Sequence, residues 1–163
     1  MQVEKNVVCP GCGLKLLNKN VGVSESYNVS GECMELFNEL SGYTLSMTDS
    51  GFIHQYIVDA YGAQHAGGIT KNIRIIFSLI GLCLAVEYNY SGRQVQLIHM
   101  KIPKQLWQVL EPPLQKSAIT VADVLNVNAD LERIDKIKIW AKSVWEIWSQ
   151  HHEWIRNKTA EYI

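Results

Sequence analysis

The chain has 163 residues, of which 47% are hydrophobic, and its 15 basic and 16 acidic residues give a formal net charge of −1. A chain of this length can bury a substantial core, so we expect one domain over residues 1–163. The near-neutral charge, with no block of like sign, argues against a nucleic-acid or anionic-membrane surface.

The N-terminal segment carries the one motif that implies a definite chemistry, Cys9-Pro10-Gly11-Cys12-Gly13. Two thiolates three residues apart on a tight Gly/Pro turn can bind one face of a tetrahedral zinc ion. A CxxC pair can also cycle between dithiol and disulfide, but such pairs usually open a helix, and the residues that follow here are poor helix formers. We expect one Zn²⁺ per chain, bound by this knuckle (residues 9–13), within an irregular segment that covers residues 1–29.

Residues 30–163 are predicted to form a helical body. Ser30 can cap a first helix that runs to Leu40 and is ended by Ser41-Gly42. Asp49 or Ser50 can cap a second helix over residues 51–65. Thr70 can cap a third over residues 71–88, and this helix is expected to be central because it is apolar nearly all round.

The C-terminal half shows weaker patterns and one long helix. Residues 94–102 alternate between apolar and polar, which favours a short extended segment, and Glu111-Pro112-Pro113 cannot be helical. Residues 120–123 form a capping-box start for a short helix. A last helix over residues 129–157 carries one apolar stripe: Ala141, Trp145, Trp148, His152 and Ile155. The sequence therefore predicts a mainly α-helical, bundle-like single domain.

A tetrahedral zinc site needs two ligands besides Cys9 and Cys12. Cys33 in the first helix and His65 at the end of the second are the third and fourth choices, and His54 and His152 are weaker alternatives. His54 and His65 would lie about 16 Å apart along one helix, so at most one of them can join the metal.

Each of these residues also has a structural interpretation. Cys33 could be a small buried residue, and a protonated His65 would interact favourably with the helix dipole. His152 lies among tryptophans next to His151, where a histidine is more often a hydrogen-bonded core residue. Trp140 and Trp154 lie off the main stripe and suit a second surface or a homodimer contact.

Three functions remain open at this stage. The preferred one is a zinc-binding helical protein whose metal is structural and which acts by binding an unidentified protein or small-molecule partner. The alternative is a metal-dependent hydrolase, in which zinc keeps an open position for water and Asp59 or His54 is the base. A thiol redox protein using Cys9 and Cys12 is the third. Four protein ligands indicate a structural site, whereas three ligands and a water permit catalysis.

A cytoplasmic location is expected. Residues 1–5 have no apolar signal core, and four unevenly spaced cysteines do not suit a secreted disulfide scaffold. The longest apolar stretch, over residues 75–86, is too short to span a bilayer, which needs about 20 residues.

Several segments together resemble an uncharacterised bacterial family of about this length, a domain of unknown function. They include CPGCG at 9–13, Glu32-Cys33, VDAY at 58–61 and Gln64-His65. The family often has proline where this chain has Ala66, and an aromatic residue where it has Met34. The resemblance covers nearly the whole chain and implies that His54, Asp59, Gln64 and His65 form a common polar core or site. It implies no reaction.

Overall fold

The computed structural model describes residues 5–163 and confirms the expected mainly α-helical fold. Within that part of the chain seven helices accompany one small two-stranded sheet. The strands are β1 (Asn6–Val8) and β2 (Lys15–Leu17), and the helices are α1 (Gly31–Ser46), α2 (His54–Gln64), α3 (Asn72–Glu87), α4 (Gly92–His99), α5 (Val121–Leu125), α6 (Asp130–Ile147) and α7 (His152–Ala160). The division into an N-terminal segment of residues 1–29 and a helical body of residues 30–163 stays a prediction. The irregular chain predicted for residues 1–4 lies outside the described residues.

The knuckle connects the two strands of an antiparallel hairpin, in which Asn6 pairs with Leu17 and Val8 with Lys15. The Cys9 N–H donates to the Leu14 carbonyl at 2.8 Å, and the Gly13 N–H donates to the Cys9 carbonyl at 2.9 Å. Gly13 has a φ of 78°, which a glycine adopts without strain. The expectation of irregular chain after Gly13 was therefore wrong for residues 15–17, because the turn brings the two short strands together.

Helix α1 begins as expected but ends later. The Ser30 hydroxyl accepts a hydrogen bond from the Cys33 N–H at 3.2 Å and so caps the helix. The predicted stop at Ser41-Gly42 was wrong, since α1 continues to Ser46. Its buried stripe extends through Leu40 to Thr44, and this packing outweighs the cost of about 1 kcal/mol for glycine inside a helix.

Helix α2 begins at His54 rather than at residue 51. The Asp49 carboxylate accepts hydrogen bonds from the N–H groups of Gly51 at 2.9 Å and Ile53 at 2.6 Å, which holds a turn ahead of the helix. Phe52 in this turn has a φ of 53° and cannot be part of an α-helix.

Helix α3 is the centre of the bundle and packs against α2, α4, α6 and α7. Ten of its residues are buried, from Ile75 to Ala85. The expected cap, Thr70, has another role, since its hydroxyl donates to the His65 carbonyl at 2.8 Å and accepts from the Asn28 N–H at 3.0 Å. Thr70 therefore joins the N-terminal segment to the end of α2.

The extended segment predicted over residues 94–102 was wrong, because a helix, α4, covers residues 92–99. The Ser91 hydroxyl accepts from the Gln94 N–H at 3.2 Å and the Gln94 side chain accepts from the Ser91 N–H at 2.8 Å, which is a complete capping box. By contrast, α5 begins where predicted, since the Asp123 carboxylate accepts the Thr120 N–H at 2.7 Å.

The single long C-terminal helix was also wrong, because α6 ends at Ile147 and a 3₁₀ turn at Ser149–His151 separates it from α7. The Trp148 N–H donates to the Trp145 carbonyl at 3.1 Å, which tightens the chain there. Trp140 is fully buried and donates to the Gln64 side-chain oxygen at 2.9 Å. Trp140 is thus a core residue and not a surface for a second protomer.

Among the helices of residues 5–163, none has both the length and the hydrophobicity that a bilayer-spanning segment requires.

Candidate metal centre

Four side chains from three separate segments meet beneath the N-terminal hairpin. Cys9 and Cys12 come from the knuckle, Cys33 from the first turn of α1, and His65 from the residue that follows α2. Their donor atoms all lie within 4.8 Å of one another. The exposed fractions of these residues are 1%, 5%, 0% and 0%, so the cluster is closed to solvent. This Cys₃His cluster could hold a metal ion.

The spacing of the donor atoms suits a tetrahedral centre. Zinc–sulfur bonds of about 2.3 Å at tetrahedral angles place neighbouring sulfurs about 3.8 Å apart. The Cys12 and Cys33 sulfurs are 3.9 Å apart, and the Cys33 sulfur is 3.7 Å from His65 Nε2. A Zn²⁺ ion would therefore fit between these groups without a large movement of the chain.

The imidazole of His65 is oriented by the helix that precedes it. Its Nδ1 lies 2.7 Å from the Tyr61 carbonyl oxygen, an acceptor that requires the proton to be on Nδ1. Nε2 then carries the free lone pair and faces the sulfurs. A histidine that ligates a metal through one nitrogen commonly donates through the other to a carbonyl.

Tyr61 also contacts the cluster through its side chain, and the sequence analysis missed this role. Its hydroxyl donates to the Cys33 sulfur at 3.3 Å, and its ring lies 4.0 Å from that of His65. Burial and then the nearby Cys33 raise the pKa of the Tyr61 hydroxyl, so the group stays protonated and remains a donor. The four-residue spacing of Tyr61 and His65 in the helix predicted over residues 51–65 was the available signal.

The three thiols influence one another's ionisation. Hydrogen bonds from Cys12 and then Cys33 lower the pKa of Cys9, whereas the hydrogen bonds with Cys12 and Cys9, and then burial, raise the pKa of Cys33. One thiolate thus forms readily in this buried cluster at the expense of the others. A divalent cation supplies the charge that would allow all three to ionise together.

The knuckle approaches α2 closely at Gly11. A Cβ atom there would lie 2.6 Å from the Asn28 carbonyl oxygen and 2.9 Å from His65 Cα, and closer still to the His65 ring. On the other side, the Lys116 ammonium donates to the carbonyls of Pro10, at 3.1 Å, and Gly11. Lys116 was not anticipated, since 105 residues separate it from Gly11.

The other predicted site residues lie outside this cluster. His54 is half-buried at the start of α2 and its Nδ1 lies 2.8 Å from the Thr44 hydroxyl. Burial lowers the pKa of His54. His152 stacks on Trp145 at 3.9 Å, with its Nε2 2.8 Å from the Trp145 carbonyl, and His151 lies 2.9 Å from the Glu111 carbonyl.

Asp59 is buried at the contact between α2 and α3. The Gln55 amide donates to its carboxylate at 3.1 Å, and Gly81 of α3 packs directly on the carboxyl group. Burial raises the pKa of Asp59 well above its ordinary value, against the opposing effect of the Gln55 hydrogen bond. The resemblance implied a common polar core or site for His54, Asp59, Gln64 and His65. Within the described residues each of them has its own hydrogen-bond partners, and no hydrogen bond joins any two of them.

Residues 7–149, which are more than half of the chain, match the model of a family described as a family of unknown function, DUF5946. The chain belongs to this family. Searches of the curated proteins and of the solved structures each found no match.

Proposed function

We propose that this member of a family of unknown function binds one Zn²⁺ ion through Cys9, Cys12, Cys33 and His65, and that the metal is structural. The observation that carries the proposal is the convergence of four buried donor atoms within 4.8 Å of one another. Three soft thiolates and an imidazole in tetrahedral arrangement suit zinc better than the hard cations Mg²⁺ or Ca²⁺, which prefer oxygen ligands.

The structural role is favoured over the hydrolytic one by the ligand count. Four protein ligands would complete the tetrahedral coordination of the ion, whereas a catalytic zinc has three protein ligands and keeps the fourth position for water. All four ligands are at most 5% exposed, which leaves no route for a substrate to the metal. Asp59 and His54, the candidate bases, are engaged by Gln55 and Thr44.

The redox alternative is disfavoured by the same burial. A redox dithiol needs an accessible thiolate, and the exposed fractions of Cys9 and Cys12 are 1% and 5%. Each of these sulfurs also lies close to Cys33 and His65, two further donors that a dithiol–disulfide pair does not require.

In this proposal the metal fastens the N-terminal hairpin to α1 and α2. Lys116, Asn28 and Thr70 form hydrogen bonds in the same region, but a hydrogen bond is weaker than a metal–ligand bond. Binding of zinc would therefore contribute directly to folding stability. The domain would serve as a rigid scaffold that binds a protein or small-molecule partner in the cytoplasm.

The first experiment is elemental analysis of protein purified without added metal or nickel affinity resin, with a thiol count before and after chelation. We expect about one zinc per chain and Cys9, Cys12 and Cys33 shielded from a thiol reagent until the metal is removed. Cys12→Ser should lose the metal and unfold at a lower temperature.

The matched control is Cys83→Ser, which changes a buried cysteine in α3 that is not part of the cluster. This variant should lose stability through its buried hydroxyl but retain its metal. Metal-free protein with freely reactive thiols would overturn the proposal, as would a Cys12→Ser variant with unchanged metal content and melting temperature.

A further inference from the structure

A groove lies at the opposite end of α2 from the metal cluster, between the start of α2, the loop that joins α3 to α4, and one side of α6. It consists of two adjoining hollows with volumes of about 280 and 170 Å³. Tyr56, Asn89 and Lys138 line both hollows, which makes them one continuous depression.

The walls of the groove combine apolar side chains in both hollows with polar ones, most of which line the larger hollow. Ile53 and Ile134 line the larger hollow, and Ala85, Val86 and Ala141 line the smaller. A ligand with an apolar body would thus cover carbon surface that water now contacts, and this is the usual source of binding energy in small pockets.

Two lysines and one carboxylate give the lining of the groove a net positive charge. Lys138 lines both hollows and Lys142, one turn further along α6, lines the smaller, and neither forms an ion pair within residues 5–163. The one carboxylate in the lining, Asp49, already accepts two backbone hydrogen bonds, from Gly51 and Ile53. An anionic head group would therefore meet two available ammonium groups.

The rim of the groove is held in an uncommon backbone conformation. Of the three non-glycine residues with positive φ among those described, two lie here: Phe52 at 53° and Asn89 at 54°. The Phe52 carbonyl packs directly on Gly92, where a side chain would not fit, and the Arg93 N–H donates to the Gly51 carbonyl at 2.9 Å. Such strain persists where the surrounding structure fixes it, often at binding sites.

We propose that this groove binds a small organic monocarboxylate with an apolar body. The carboxylate would lie between Lys138 and the Asn89 amide, and the body would cover Tyr56 and the aliphatic side chains of the two hollows. A singly charged head suits the groove better than a dianion, because Lys138 is the one cation common to both hollows and the Asp49 carboxylate lies nearby. This site is independent of the proposed zinc centre.

The test uses octanoate as the probe and octanol as its uncharged counterpart, with the metal-loaded protein and heteronuclear NMR titration. We expect saturable octanoate binding with shifts at the amides of Tyr56, Asn89 and Ser91. Lys138→Met removes the charge but keeps the length of the side chain and should weaken octanoate binding about 5-fold, as for an exposed ion pair of about 1 kcal/mol. The matched control, Lys136→Met on the same helix, should leave the affinity unchanged.

Three results would overturn the proposal: no saturable binding of octanoate, shifts confined to residues outside the groove, or equal affinity for octanol. Equal weakening by Lys138→Met and Lys136→Met would also contradict it. A second variant, Asn89→Gly, preserves the left-handed backbone and removes only the amide. Asn89→Gly should weaken the binding of octanoate and leave the binding of octanol unchanged. An unchanged octanoate affinity would contradict the proposed position of the carboxylate beside the Asn89 amide.

Discussion

The contact between Gly11 and His65 allows a sharp test of the metal centre. A methyl group at position 11 would lie 2.6 Å from the Asn28 carbonyl oxygen and 2.9 Å from His65 Cα. Carbon atoms in ordinary contact are about 3.5–4.0 Å apart, so the knuckle and the end of α2 must separate by roughly 0.6 Å or more. Metal–ligand distances tolerate only about 0.2 Å, and Gly11→Ala should therefore move His65 out of bonding distance.

Overpacking of this kind costs about 1–3 kcal/mol. If half of that cost, about 0.5–1.5 kcal/mol, is expressed in metal binding, the zinc affinity of Gly11→Ala should fall roughly 2- to 13-fold. Competition with a chromophoric chelator measures the zinc affinity. Thermal unfolding with and without metal measures the part of the overpacking cost that is expressed as lost folding stability. The matched control is Gly22→Ala, since nothing lies within 4 Å of a Cβ built at Gly22. Equal zinc affinities for the two variants would refute the proposed contribution of His65.

Three further predictions concern the helical body. Gly42→Ala should raise the free energy of unfolding by about 0.5–1 kcal/mol in urea denaturation, because Gly42 is inside α1 and its Cβ would meet no atom within 4 Å. Trp140→Phe should lower it by about 1–3 kcal/mol, since the Gln64 side-chain oxygen loses its buried donor; an unchanged value would show that water replaces the indole. Asp59→Asn should be more stable than the wild-type protein near pH 7 and lose that advantage toward pH 4. Because the pKa of the Asp59 carboxyl is raised in the folded protein, the wild-type protein loses stability as pH rises above the unfolded pKa of about 3.9. Any loss of metal at low pH affects both proteins and cancels in the difference between their free energies of unfolding.

Local signals predicted the parts of the fold and site that depend on short stretches of sequence. The spacing of Cys9 and Cys12 defines half of a metal site by itself. Ser30 and Asp123 identify the starts of α1 and α5 through capping, which involves three or four residues. The four residues ranked first as ligands are also the four whose donor atoms the structure brings together.

The errors arose where packing or competing hydrogen bonds outweighed a local pattern. Gly42 would end an isolated helix, but the buried stripe from Leu40 to Thr44 continues α1 past it. The alternation after Gln94 resembled a strand, yet Val95 and Ile98 are three residues apart and are both buried on one side of α4. The contacts of Lys116 with the knuckle join residues 105 or more positions apart, and no local pattern contains that information.

The positions of the four donors along the chain have a consequence for the order of folding. Cys12 and Cys33 are 21 residues apart, and Cys33 and His65 are 32 apart. A shared metal ion would close two loops of moderate length, and each closure removes conformational freedom from the unfolded chain much as a cross-link does. All four donors precede α3, so the chain carries a complete ligand set before its most hydrophobic helix is synthesised. Metal capture would then bring together the hairpin, α1 and α2 into a platform on which α3 and the later helices assemble.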